Sequence, residues 1–106
     1  MNSGDLCSVV LTAPDAEWLA QFTRTLVADR LCAAAHIFPM RAIYRWGGEM
    51  NDVSEFRAEC HTRTVLVSDI VERISSEHPY EVPGVVVLPL IGGGPDYLRW
   101  VQDETA

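Results

Sequence analysis

His78-Pro79-Tyr80-Glu81-Val82-Pro83 decides how this chain is read. A residue that precedes proline is pushed out of the α region, so Pro79 forces His78 toward an extended backbone and Pro83 does the same to Val82. Upstream, Val65 to Glu77 has apolar residues at Leu66, Val67, Ile70, Val71 and Ile74 with Asp69, Glu72 and Arg73 between them, the spacing of an amphipathic helix. Downstream, Val85 to Ile91 contains no polar residue and reads as an inner strand covered on both faces. Six residues therefore carry the chain from helix to strand while presenting an imidazole, a phenol and a carboxylate.

Working back toward the amino terminus, Val53 to Arg63 alternates. Phe56, Ala58, Cys60 and Thr62 share one face, and Glu55, Arg57, Glu59, His61 and Arg63 share the other. The charged face suits either solvent or a subunit interface built on paired ions. Gly47 to Asp52 reads as the connection to a preceding strand in which Ala42, Tyr44 and Trp46 point one way and Arg41, Ile43 and Arg45 the other. Cys32 to Phe38 is its first half, and Pro39 predicts an interruption or bend. Ala16 to Leu31 steps as a helix through Trp18, Leu19, Phe22, Leu26, Val27 and Leu31, with Pro14 and Asp15 at its start. Leu6 to Thr12 is a β-branched first strand. Past the inner strand, Gly92-Gly93-Gly94 lacks the Lys-Ser or Lys-Thr of a phosphate loop and reads as a connection. Asp96 to Val101 opens a short final helix.

The order strand, helix, strand, strand, helix, strand, helix is that of an α+β, ferredoxin-like βαββαβ sandwich with a short C-terminal helix. One sheet face is left for something else to cover. The length of 106 residues suits one domain spanning 1–106, with residues 1–5 as a disordered tail.

Fifteen acidic residues against eight basic ones, all arginine, give a net charge of −7. That balance disfavours nucleic acid and anionic membranes as partners. Three cysteines without C-x-x-C spacing point to free thiols in a reducing, cytoplasmic compartment. The first residues form neither a signal peptide nor a membrane span. No nucleophile, metalloprotease or nucleotide motif is present, and the expectation is a protein that is not an enzyme.

Several patterns coincide in order: Thr12-Ala13-Pro14-Asp15, Arg30-Leu31-Cys32-Ala33-Ala34, Ile43-Tyr44-Arg45-Trp46, His78-Pro79-Tyr80-Glu81-Val82-Pro83 and Asp96-Tyr97-Leu98-Arg99-Trp100. From about Ser8 to Val101 the chain resembles the CutA family of divalent-ion tolerance proteins. The resemblance implies a homotrimer of PII-like architecture, in which long strands of neighbouring subunits continue each other's sheets, and a role in divalent-cation tolerance. It implies copper(II) or another divalent cation as the bound metal. The family's Ala-Ala-Cys, later asparagine and Lys-Thr are replaced here by residues including Ala34, His36 and His61-Thr62. Its proposed copper ligands fall on Leu11, Glu77 and His78.

The residues themselves offer His78 as a metal ligand, with Glu77 and Glu81 as oxygen donors. Alternatively, His78 is an imidazolium favoured by the end of its helix. His36 and His61 lie on adjacent predicted strands and face each other across the sheet in one reading. Tyr44, Trp46, His61, Tyr80, Tyr97 and Trp100 are the candidates for a ligand-binding cleft between subunits. A small anion or nucleotide in that cleft, with metal incidental, is the competing reading of function.

Overall fold

A computed structural model describes residues 5–106. The expected tail therefore lies mostly outside the described residues, and Asp5 is exposed. Strand β1 (Leu6–Ala13) is followed by α1 (Ala16–Ala28), β2 (Ala34–Trp46), β3 (Glu49–Arg63), a 3-10 turn (Thr64–Leu66), α2 (Val67–Glu77), β4 (Val85–Pro89) and α3 (Pro95–Glu104). The strands form one sheet in the order β2-β3-β1-β4, with every neighbouring pair antiparallel. This is the α+β, ferredoxin-like arrangement read from the sequence.

The core lies on one face of the sheet. Cys7, Val9, Leu11 and Ala13 of β1 and Ala58 and Cys60 of β3 pack against Leu19, Phe22 and Leu26 of α1 and Ile70 and Ile74 of α2. These positions alternate along the strands and step by three or four along the helices, so binary patterning alone places them together. Asp15 caps α1 by accepting from the Glu17 amide at 3.0 Å. On the other face, α3 packs Leu98 and Val101 over Leu6 and Ala33. That covers one end of a face the sequence reading left entirely open.

Four departures from expectation have a clear physical reason. Strand β2 is paired continuously through Pro39, which sits opposite Phe56. As β2 is an edge strand, proline's missing donor costs it no ladder bond. The β2–β3 connection is only Gly47-Gly48, at φ +61° and +80°, a two-residue turn with both positions left-handed, so Glu49 to Asp52 join the strand. Helix α1 stops at Ala28 because Arg30 adopts φ +60°. Finally, β4 is an edge and not an inner strand: Val86, Val87 and Leu88 are all exposed. Its apolar run is thus exposed in the single chain rather than covered on both faces.

Arg30 pays steric strain that glycine would not, since β-carbons disfavour the left-handed region by about 1–2 kcal/mol. Its guanidinium recovers part of this through a 2.8 Å bond to the Asp103 carbonyl on an exposed surface. Arg30→Gly is expected to stabilise the chain by about 0.5–1 kcal/mol, read as a raised urea midpoint.

Because β1 pairs with β3 only from Phe56 to Arg63, residues Glu49 to Ser54 pair with β2 alone. They form a two-stranded ribbon that projects beyond the sheet, and the molecule measures 45 × 24 × 21 Å. Arg41 and Asp52 bridge its strands at 2.6 Å.

Candidate functional site

The turn after α2 is stitched to the end of β1. His78 Nε2 donates to the Thr12 carbonyl at 2.7 Å, and Nδ1 accepts from the Tyr80 amide at 3.0 Å. Both partners fix the same neutral tautomer, with its proton on Nε2. The ring is buried, edge-on to Trp18 at 5.1 Å, and Trp18 in turn stacks on Phe22 at 5.0 Å. Thr12 also donates its amide to the Gly84 carbonyl at 3.1 Å. A β-carbon on Gly84 would approach Thr12 Oγ1 to 3.0 Å, so glycine permits this close passage. His78 is thus the post on which the turn is hung.

The turn encloses a cavity of about 480 Å³ together with Thr12, Tyr44, Trp46 and Glu55. Its register explains the grouping: Trp46 pairs with Glu49 and Tyr44 with Asn51, so both aromatics share a sheet face with Glu55. Glu55 is only 4 % exposed, and its Oε2 accepts from the Tyr80 hydroxyl at 2.8 Å. Burial, and then the neighbouring Glu55 carboxylate, push the Tyr80 phenol up to about 12. Tyr80 therefore keeps its proton and donates it. Glu81 lines the same cavity, and no arginine does. The site is apolar and aromatic on its walls, with two carboxylates as its charged groups.

Of the sequence candidates, the structure brings Tyr44, Trp46, Tyr80 and Glu81 to one cavity. Glu77 ends α2 and is exposed, and His78 stands behind the turn with both ring nitrogens engaged. Among the described residues no three histidine, cysteine, aspartate or glutamate side chains gather into a group that would hold a metal, so Glu77, His78 and Glu81 do not form one within the chain. His61, Tyr97 and Trp100 lie elsewhere, at the α3 end of the open face. There the Tyr97 hydroxyl is 2.6 Å from His61 Nδ1, and the Tyr97 and Trp100 rings are 5.6 Å apart. Within one chain these candidates therefore fall in two separate places. Desolvation, with the nearby His36, lowers the His61 pKa, so the ring is neutral at pH 7.

Sequence reasoning missed Glu55, which it placed on a charged face suited to solvent or to a subunit interface. The available signal was its phase: across the Gly47-Gly48 turn Glu55 falls on the same sheet face as Tyr44 and Trp46, and a buried carboxylate there requires a donor. The triple glycine lines no part of the cavity.

Residues 7–104 match the model of a family described as CutA1 divalent ion tolerance protein. The chain is 36 % identical over 98 residues to the divalent-cation tolerance protein CutA of Thermus thermophilus, covering 92 % of this chain and 95 % of that one. It is 34 % identical over 103 residues to the mouse protein CutA, covering 96 % of this chain and 58 % of that longer one. The crystal structure of CutA1 from Pyrococcus horikoshii superposes with a TM-score of 0.89 at 34 % identity, covering 94 % of this chain and 98 % of that one.

Proposed function

This chain belongs to the CutA1 divalent ion tolerance family, and from that premise we propose that it acts in divalent-cation tolerance as a homotrimer that holds a divalent cation in the Glu55 cavity. One observation carries the cation reading: a nearly buried carboxylate, Glu55, faces a cavity that also holds Glu81 and has no arginine on its lining. A buried negative charge without a cation is costly, and a hydroxyl donor offsets only part of that cost. Carboxylate, phenol and hydroxyl oxygens suit harder divalent ions, and aromatic walls add attraction for positive charge. A small anion would meet carboxylates instead of guanidinium groups, which sets the competing reading back.

Two exposed features support the trimer. A two-stranded ribbon is marginal on its own, and this one exposes Ile43 at 62 % and Met50 at 73 %. At the opposite sheet edge β4 presents Val86 and Leu88 with unpaired backbone groups. The two surfaces differ, so a contact between them is head-to-tail, and it makes a trimeric ring where the rotation closes at three copies. The role is binding and not catalysis. Three free, buried cysteines fit a reducing compartment such as the cytoplasm, and no described helix is long and apolar enough to cross a membrane.

Calorimetric titration of the untagged protein with manganese(II) and zinc tests the cavity. The expected result is one ion per chain, with Glu55→Gln weakening uptake at least tenfold, because the neutral amide removes the charge that draws the ion. Unchanged uptake in Glu55→Gln would refute the assignment.

A further inference from the structure

We propose that the Glu55 cavity takes an organic ammonium ligand, a small primary amine whose charged nitrogen sits on the carboxylates and whose apolar or aromatic body lies against the ring-lined wall. This rests on the same reading of the cavity as a cation site, and it adds a second class of cation. Size is the first argument. The cavity measures about 480 Å³, whereas a water-sized oxygen ligand occupies about 30 Å³, so an ion with about six such ligands fills less than half of it. Volumes of about 300–1,000 Å³, with apolar walls and a few placed polar groups, are those of small-molecule sites.

The walls supply the second argument. Tyr44, Trp46 and Tyr80 line the space, with Pro79, Val82 and Pro83 as aliphatic surface beside them. Trp46 is 56 % exposed and Tyr44 38 %, so this wall has apolar area left to bury on a ligand. A metal ion fills its coordination with oxygen donors and gains little from such carbon. An organic cation uses both, burying its body on carbon and placing its charge near ring faces and carboxylates. The third argument is the state of Glu55. The Tyr80 hydroxyl donates to its Oε2 at 2.8 Å, which leaves Oε1 to accept a charge-assisted bond from an ammonium N–H. With its pKa pushed up to about 12 by burial and by Glu55, Tyr80 stays protonated at neutral pH and orients the carboxylate without adding a second charge. Exposed Glu81 adds a further negative charge to the lining. A primary ammonium has three donors to share between the two carboxylates.

The test is calorimetric titration of the untagged, chelator-treated protein with 2-phenylethylamine, and with 2-phenylethanol as its neutral counterpart of similar size. The expected result is one amine per chain, bound at least tenfold more tightly than the alcohol. Glu55→Gln should remove that preference while leaving the weak binding of the alcohol in place. Trp46→Leu should weaken amine binding about tenfold, as loss of a ring beside a cation does. It changes an exposed side chain, so it keeps the test decisive even where Glu55→Gln unsettles the turn. Equal binding of amine and alcohol, or amine affinity unchanged in both variants, would overturn the proposal. A parallel titration with manganese(II) separates the two readings of the cavity. Manganese uptake without amine uptake overturns the ammonium site and leaves the metal reading standing; amine uptake without manganese uptake does the reverse.

Discussion

His78→Ala should cost the chain about 3 kcal/mol and lower its thermal midpoint by about 10–20 °C. The substitution removes a donor from the Thr12 carbonyl and an acceptor from the Tyr80 amide, both at the protein's own bonding distances. Each lost bond is worth about 1 kcal/mol, and a buried group left without a partner adds to this. Trp18 also loses the ring it meets edge-on at 5.1 Å, with a cavity left behind. His78→Gln should fall between wild type and alanine: its amide can reach Thr12 but cannot also accept from Tyr80. Equilibrium urea unfolding separates the three proteins. A loss below about 0.5 kcal/mol for the alanine variant, the size of an ordinary surface change, would mean that the histidine does not hold the turn. The cavity depends on the same turn, so cation uptake should weaken along with stability.

Breaking the apolar edge should have a comparably large effect on assembly. Val86→Asp places a carboxylate on the exposed β4 edge, and Ile43→Asp does so on the ribbon that would meet it. Burying an unpaired charge in an interface costs several kcal/mol, enough to dissociate a trimer at micromolar concentration. Neither side chain belongs to the core of the single chain, so each variant should still fold. Sedimentation velocity is expected to show the 11.8 kDa chain alone for either variant. A variant that sediments as wild type would place the contact elsewhere.

Much of the fold was legible because few local rules conflict. The Pro79 and Pro83 restrictions, the alternation of Phe56, Ala58 and Cys60 and the helical steps from Leu19 to Leu26 all agree with the final packing. Where reading failed, a tertiary fact overrode a local one. Pro39 interrupts nothing because β2 lies at the edge, which only the strand order reveals. The run from Val85 looked buried because its residues are apolar, but sequence does not distinguish a covered face from one that another chain would cover.

The candidate site was legible in part. Tyr44, Trp46 and Tyr80 share a cavity as aromatic residues with polar tips suggest, and His36 does face His61. His78 read as a ligand because imidazole is a common donor, yet its nitrogens are engaged by backbone groups twelfth and eightieth in the chain. Glu55 was lost among alternating charges, and its burial depends on a turn 25 residues away.

Native mass spectrometry of the untagged protein, alone and with stoichiometric zinc, manganese(II) or copper(II), tests the account most directly. Three chains of 11.8 kDa should appear together at about 35 kDa and take up whole numbers of ions. Manganese uptake should vanish in Glu55→Gln while the trimer persists. A monomer that takes up no ion under any of these conditions would contradict the account.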